Sequence, residues 1–200
     1  MKRQRDKKES FLRRNYRGAW EYVKESRNFI YSIIIIFVFF TLLGFVLPVP
    51  AELEAWILGF IEQLLKQTEG LSQAELIRFI FWNNLQSSFT GVLFGIILGV
   101  FPMLSALANV YLLGFVASRA ADGNGLLVLW RLFPHGIFEL PALFISLGLG
   151  LRLGTFVFQK NKLRTLGRYL LETIKAFFFI VIPLLIIAAI IEGSLISILG

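Results

Sequence analysis

The longest apolar run of the sequence constrains the fold more than any other feature. From Phe29 to Leu47 the chain is interrupted only by Ser32, Thr41 and Gly44. A helix rises about 1.5 Å per residue, so this run is long enough to cross a hydrocarbon layer about 30 Å thick. The run is too long for a cleavable signal, and no cleavage site follows it. We therefore expect the chain to be embedded in a lipid bilayer.

Composition extends this expectation to the whole chain. Of its 200 residues, 56% are hydrophobic and 16% are charged, and the mean hydropathy is +0.73. A chain this apolar is typical of a polytopic membrane protein rather than of a soluble domain. The absence of cysteine excludes disulfides and thiolate metal sites. We expect an all-α transmembrane bundle of about five spans, near residues 29–47, 79–100, 103–120, 136–153 and 170–191.

A basic tail, residues 1–28, precedes a single transmembrane domain, residues 29–200. The tail contains ten Lys or Arg residues against four acids. It is either an amphipathic helix on an anionic membrane surface or a solvated tail that directs topology. Proximity to the membrane explains the charge, so we expect no nucleic-acid partner. Apolar residues recur within the tail at helical spacing: Phe11, Leu12, Tyr16, Trp20 and Val23.

Three short features border the predicted spans. Residues 51–67 have one apolar face, which predicts an amphipathic helix at the outer surface of the membrane. Gly70 is predicted to end that helix, and Ser72 and Glu75 have the spacing of a capping box that begins the next one. Residues 126–133 are apolar but too short to span a bilayer. They are therefore either an interfacial helix or a re-entrant element.

Glycines recur at helix-packing spacing in the second predicted span. Gly91, Gly95 and Gly99 lie four residues apart and share one side of a helix. Small residues at this spacing allow two helix backbones to approach closely. The seam is predicted to pack within the subunit or between two subunits, and we expect a homodimer that uses glycine-rich faces. Further glycines assigned to helix packing are Gly114, Gly148 and Gly150.

The basic residues predict the orientation of the chain in the membrane. If residues 79–100 and 103–120 are two separate spans, the tail and the basic segment 152–168 lie on the same side. The excess of Lys and Arg in cytoplasmic loops then places both in the cytoplasm. We expect a multi-pass protein of the cell membrane with a cytoplasmic N-terminus and an outer C-terminus.

An unexpected group of polar residues surrounds the only histidine of the chain. His135 and Glu139 stand four residues apart and therefore share one face of a helix. Pro134 and Pro141 flank them and predict helix breaks. Ionisable side chains at membrane depth are costly and mark function by default. Other polar residues expected at this site are Asn83, Asn84, Asn109 and Arg131.

Three interpretations of this polar site stay open. In the first, the side chains form hydrogen bonds that fix one arrangement of helices. In the second, His135 titrates near neutral pH in a proton or ion pathway, and burial raises the pKa of Glu139. The third is a metal or catalytic site, which one histidine, no cysteine and the absence of HExxH and GxSxG motifs disfavour. We expect no cofactor, no metal and no enzymatic activity.

The residues around this site resemble those of a known family. The most specific element is Pro134-His135-Gly136-x-x-Glu139-Leu140-Pro141-Ala142, accompanied by Asn83-Asn84, the glycine-spaced second span, and Asn109 with Gly114. Over residues 79–154 the chain resembles the stage II sporulation protein M family of integral membrane proteins. The resemblance implies a multi-spanning relative of an anchor for peptidoglycan-degrading partners. Asn109-Val110 departs from the Asn-Gly typical of that family, and the resemblance implies no catalytic residues.

Two functions follow as expectations. The first is a non-enzymatic membrane scaffold or membrane-remodelling component that recruits membrane or cell-envelope proteins through its basic tail and outer amphipathic helix. The second is a transporter or channel for small solutes or ions, in which His135 and Glu139 line a hydrated cavity.

Overall fold

A computed structural model describes residues 10–47, 51–93, 95, 111, 114–115, 117–119 and 133–199. Every regular element in these ranges is helical, which confirms the expected all-α class. Seven α-helices are described over their full length: α1 (Phe11–Glu25), α2 (Arg27–Val46), α3 (Ala51–Thr68), α4 (Gln73–Leu93), α5 (Phe133–Gly154), α6 (Lys162–Ala176) and α7 (Ile182–Leu199). A 3-10 turn, Thr155–Phe158, follows α5, and a π turn, Phe177–Val181, joins α6 to α7.

Three helices of the described part are long and apolar enough to cross a membrane. They are Arg27–Val46, Ile137–Phe158 and the continuous helix Lys162–Ile198. The first and second correspond to the predicted spans 29–47 and 136–153, and the third contains the predicted span 170–191. The predicted span 103–120 falls mostly outside the described residues. The predicted span 79–100 is described as far as Leu93 and at Gly95, but α4 is not among the three.

The helix ends at the turn between α3 and α4 follow the sequence prediction. Gly70 has a φ of 74°, the left-handed conformation that ends a helix and that glycine adopts without strain. The Glu75 carboxylate then accepts hydrogen bonds from the Ser72 N–H (2.9 Å) and the Ser72 hydroxyl (2.6 Å). These bonds lower the pKa of Glu75 below its ordinary value. The predicted capping contact is therefore confirmed.

Helix α5 occupies the centre of the bundle and contacts four other helices. Its Leu143 and Leu147 form a buried cluster with Ile33 and Phe37 of α2. Its Ala142 is buried with Val92 of α4 and with residues of the π turn and α7. Near its end, α5 contributes to a third cluster, which also contains residues of α1 and α6. Because α5 is covered on several sides, it positions the other helices relative to one another.

The predicted helix break at Pro141 is wrong. Helix α5 begins at Phe133, so Pro134 lies in its first turn, where a missing N–H costs nothing. The helix then continues through Pro141 to Gly154. Proline there removes one backbone hydrogen bond, but neighbouring helices hold a membrane helix together around such a position. Ala142, the next residue, is fully buried among those neighbours.

The last helix is longer than expected. Residues Lys162–Ile198 form one helix of 37 residues, in which the π turn precedes Pro183. A wider turn before a proline removes the clash between its ring and the preceding carbonyl groups. Glu192, which follows the predicted span 170–191, lies within α7. Its Oε2 atom is buried from solvent.

Several glycines lie where helices of one chain approach closely. A Cβ atom added to Gly95, two residues beyond the end of α4, would overlap the backbone of Gly150 in α5. One added to Gly148 would lie 2.8 Å from the Ile30 Cα atom of α2, and one added to Gly114 would lie 2.6 Å from the Thr41 carbonyl oxygen. These glycines therefore allow close contacts between helices of the same subunit. Gly91 approaches the Leu147 side chain, whereas Gly99 lies outside the described residues.

Candidate functional site

The structure describes only part of the polar site predicted from the sequence. Asn109 and Arg131 lie outside the described residues, and for His135 the backbone alone is described, within the first turn of α5. Glu139 is half-buried, and its Oε2 atom is inaccessible to solvent. Of the paired asparagines, Asn84 is half-buried and Asn83 is exposed.

The packing of α4 on α5 places Asn84 alongside Glu139. Gly91 lies against Leu147, and Gly95 lies against Gly150, so the two helices run in parallel with an offset of 55 or 56 residues. The same offset brings Asn84 level with Glu139. Asn84 also shares the α4 face of Gly91 and Gly95, at spacings of seven and eleven residues. The register of the two helices thus makes Asn84 level with the glutamate, whereas Asn83 is exposed.

Glu192 is a second acid of the bundle interior. Leu153 of α5 is clustered with Tyr169, whereas the earlier residue Ala142 is clustered with the later residues Val181 and Leu185. Helix α5 therefore runs antiparallel to the continuous helix that contains α7. Seven residues beyond Leu185 lies Glu192, and seven residues before Ala142 lies His135. Glu192 is therefore level with the backbone of the only histidine. Glu192 was not among the predicted site residues, because it follows the predicted span 170–191.

A better-defined polar centre lies at the other end of the bundle, around Arg152. This side chain is 9% exposed, although it belongs to the basic segment expected in the cytoplasm. Its guanidinium donates hydrogen bonds to the Glu25 carboxylate (2.9 Å), the Ser26 hydroxyl (2.8 Å) and the Tyr22 carbonyl oxygen (3.2 Å). One arginine of α5 is thereby bonded to the junction of α1 and α2.

Two tyrosine rings enclose the same guanidinium. Its central carbon lies 4.2 Å from the Tyr22 ring centroid and 5.0 Å from that of Tyr169, within the range of cation–π attraction. Thr173 of α6 donates a hydrogen bond to the Tyr22 hydroxyl (3.3 Å), which itself donates to the Tyr169 carbonyl oxygen (3.4 Å). Burial raises the pKa of Tyr22, so the phenol stays protonated at neutral pH.

The Arg152 centre attaches α1 and α6 to the end of the bundle. A buried guanidinium is tolerated when its donors are used and its charge is balanced, and both conditions hold here. Glu25 supplies the balancing charge and is itself 64% exposed, so it contributes less than a buried carboxylate would. A signal in the sequence was available: Arg152 stands between Leu151 and Leu153, apart from the run of basic residues that begins at Lys160.

A further polar feature is a groove on the side of α4 that faces away from α5. It encloses about 520 Å³ between the end of α3 and the outward face of α4. Polar groups of α4 form much of its wall, and Trp82 is 56% exposed within it. The lining residues are Gln67, Leu71, Glu75, Arg78, Phe79, Trp82, Asn83 and Gln86.

Long apolar helices, close glycine contacts and polar side chains enclosed between helices together define an all-helical integral membrane protein. The sequence model of the family described as stage II sporulation protein M matches residues 33–195, and the chain belongs to this family. No curated protein and no solved structure matches the chain. The matched range contains Arg152 but not its partners Tyr22, Glu25 and Ser26, which precede it.

Proposed function

We propose that this chain is a non-enzymatic scaffold or remodelling component of the cell membrane, with its N-terminus in the cytoplasm. The observation that supports the proposal most directly is the Arg152 centre, because it fixes α1 against the bundle instead of leaving it as a free tail. A recruiting surface benefits from such attachment, since fewer side chains and less backbone must be ordered when a partner binds.

The surface that α1 presents has the composition of an interaction site. Its inner face, with Ala19, Tyr22 and Val23, is buried. Its other faces carry exposed aromatic and aliphatic side chains next to exposed cations, a combination that favours acidic protein surfaces and anionic membranes. We call these residues the basic face: Phe11, Leu12, Arg13, Arg14, Tyr16, Arg17, Trp20 and Lys24 of α1. Helix α3 is proposed as a second recruiting element, on the outer side.

Close packing inside the bundle also suits a scaffold. Gly95 and Gly150 bring α4 and α5 together, and Gly44 and Gly114 bring α2 against the helical residues near 114. Side chains cannot rearrange where backbones are in contact, so these crossings hold the helices in one arrangement. In this proposal Glu139 and Asn84 help to fix that arrangement and carry no substrate.

The proposal is tested by reversing charge on the basic face. The double variant Arg13→Glu/Arg17→Glu should insert normally but fail to restore the phenotype of a strain that lacks the native protein. Because Arg13→Lys/Arg17→Lys keeps both charges, it is the matched control and should restore it. Glu139→Gln should also restore it, since it preserves the shape of the side chain. Loss of function in Glu139→Gln with normal folding, and not in the charge reversal, would contradict the scaffold.

The second candidate function is transport of a small solute or ion. The observation that favours it is the set of side-chain oxygens sealed inside the bundle: Thr41 Oγ1, Glu139 Oε2 and Glu192 Oε2. Buried carboxylates at membrane depth are typical of proton and ion pathways. Proteoliposomes with the pure protein should then show flux that changes with pH and disappears in Glu139→Gln. The absence of proton or ion flux in the unmodified protein would exclude this candidate.

A further inference from the structure

Helix α4 packs against α5 and α7, but its outer face is too polar to be covered by lipid. It runs parallel to α5 and antiparallel to α7, and both belong to segments apolar enough to span a membrane. Its inner face, with Leu76, Ile80, Ser88 and Gly91, is buried. Its outer face carries charged and amide side chains, which explains why α4 itself is not among the three apolar spans. In the part of the chain that the structure describes this outer face is exposed, and a helix with two such neighbours requires a cover of protein there.

The residues on this outer face, all exposed except the half-buried Phe79, follow the spacing of a helix-pairing seam. Successive members are four, three, four, three and four residues apart, the alternation that keeps one side of a helix facing a partner helix. Trp82 is 56% exposed and Leu93 45%, so both are available to a partner. Phe89 is 49% exposed, and its ring also contacts that of Phe177 in the same chain. The α4 seam consists of Glu75, Phe79, Trp82, Gln86, Phe89 and Leu93, flanked by Arg78 and Asn83.

The polar side chains of the α4 seam carry a free-energy cost when they face lipid. Gln86 lies more than three turns along α4 from its start at Gln73, level with the fully buried Ala142 of α5. An amide facing hydrocarbon at that depth loses its hydrogen bonds to water and gains none from lipid. Asn83, one turn earlier, is exposed in the same way. These amides therefore need hydrogen-bonding partners from another protein surface.

We propose that the α4 seam is the interface of a homodimer, in which two copies pair their α4 helices in parallel about a two-fold axis along the membrane normal. A two-fold interface requires a self-complementary surface. The Gln86 amide satisfies this requirement because it both donates and accepts hydrogen bonds. Glu75 and Arg78, one turn apart, offer opposite charges to the other copy. The groove beside the seam, about 520 Å³, gives room for the partner's Trp82.

This inference deepens the proposed function, because it names the surface through which the expected homodimer assembles. The glycine contacts described above are used within one chain, so they are not required between copies. A polar residue within an otherwise aromatic and aliphatic seam also fixes register and the number of helices that associate. Gln86 would thus hold the two copies in one alignment.

The absence of cysteine makes a direct test possible. Gln86→Cys and Trp82→Cys are oxidised in native membranes, where a disulfide forms only if the two Cα atoms approach within about 7 Å. The matched controls are Val38→Cys and Leu42→Cys on α2, 51% and 59% exposed and at the same depths as Gln86 and Trp82. We expect disulfide-linked dimers from the α4 variants and none from the α2 variants. Equal cross-linking from both helices, or none from α4, would overturn the interface.

A second test measures dimerisation without relying on disulfide formation. Gln86→Leu should weaken dimerisation in liposomes by about threefold to thirtyfold, the range expected for losing a hydrogen bond between membrane helices. Gln86→Asn keeps an amide and should weaken it less. Energy transfer between labelled copies, followed as lipid is added, reports the dissociation constant. Unchanged dimerisation in Gln86→Leu would contradict the role of the amide.

Dimerisation through the α4 seam and recruitment through the basic face can be tested separately. Arg13→Glu/Arg17→Glu, which removes recruitment, should leave cross-linking through Gln86→Cys unchanged. Conversely, a protein that stays monomeric in all of these assays but still recruits through its basic face would overturn the dimer interface alone. The seam would then be covered by lipid headgroups or by a different protein.

Discussion

Arg152 shows how much the surroundings of one residue determine its role. Its sequence context suggests a cytoplasmic cation, yet three hydrogen bonds and two tyrosine rings surround its side chain. Arginine suits this position because its planar group bonds in the plane and stacks above and below it. Lysine has neither property.

We therefore predict that Arg152→Met lowers the free energy of unfolding by about 1–3 kcal/mol, because cation–π contacts and charged hydrogen bonds are lost. Arg152→Lys should lose most of the same amount. Unfolding in mixed micelles measures both changes. Arg164→Met, which removes an exposed arginine of α6, is the control and should have little effect. Equal losses in Arg152→Met and Arg164→Met would contradict the buried role of Arg152.

At the scale of single residues, the sequence indicated which polar residues matter but not which residues they contact. It singled out Glu139, and the offset between α4 and α5 makes that residue level with Asn84. The enclosure of Arg152 and of one Glu192 oxygen did not follow from the sequence. A side chain at the end of an apolar run is buried or exposed according to which helix covers it, and only the tertiary packing decides this.

At the scale of elements, local signals were sufficient for the helix ends at Gly70 and Ser72. Those ends depend on neighbours within a few residues, so the capping contact of Glu75 follows from spacing alone. The continuation of α5 through Pro141 and the π turn before Pro183 did not follow from the sequence. Both are permitted by contacts with other helices, which contribute nothing to a local pattern.

The contact between α4 and α5 gives a prediction at this scale. Gly95→Ala introduces a methyl group that overlaps the Gly150 backbone, which cannot move aside as a side chain can. We expect the free energy of unfolding to fall by about 1–3 kcal/mol, the usual cost of overpacking. Gly167→Ala in α6 is the control, since no atom lies within 4 Å of the added group. That variant should instead be stabilised by about 1 kcal/mol through helix propensity.

Thermal unfolding of the two variants in the same detergent provides the measurement. If Gly95→Ala and Gly167→Ala shift the midpoint in the same direction, α4 and α5 do not approach as closely as described.

At the scale of the whole molecule, the structure places the basic face of α1 and the basic helix α6 at one end of the bundle. Tyr22 of α1 is hydrogen-bonded to both Tyr169 and Thr173 of α6, which joins the two regions directly. The turn before α4 lies at the other end, where Gln73 donates a hydrogen bond to Ser194 (3.0 Å). This arrangement agrees with the relative sidedness that the positive charges predicted.

Sidedness in the cell is tested with single cysteines at exposed positions. Leu12→Cys and Leu163→Cys should react with a membrane-impermeant thiol reagent only after the cells are opened, because both belong to the end proposed as cytoplasmic. Glu69→Cys, in the turn before α4, should react on intact cells. Leu12→Cys and Leu163→Cys are controls for each other, because both positions are proposed to lie on the cytoplasmic side. Labelling of one of them but not the other on intact cells would contradict the shared location of α1 and α6.

The continuous helix Lys162–Ile198 has a mechanical consequence. At about 1.5 Å per residue its 37 residues measure roughly 55 Å, well beyond the hydrocarbon thickness of about 30 Å. Its first part, α6, is bonded to Tyr22 of α1 through Tyr169 and Thr173. The π turn at Phe177–Val181 connects α6 to α7 without ending the helix. A displacement of α1 would therefore be transmitted along one helix to the segment that contains Glu192.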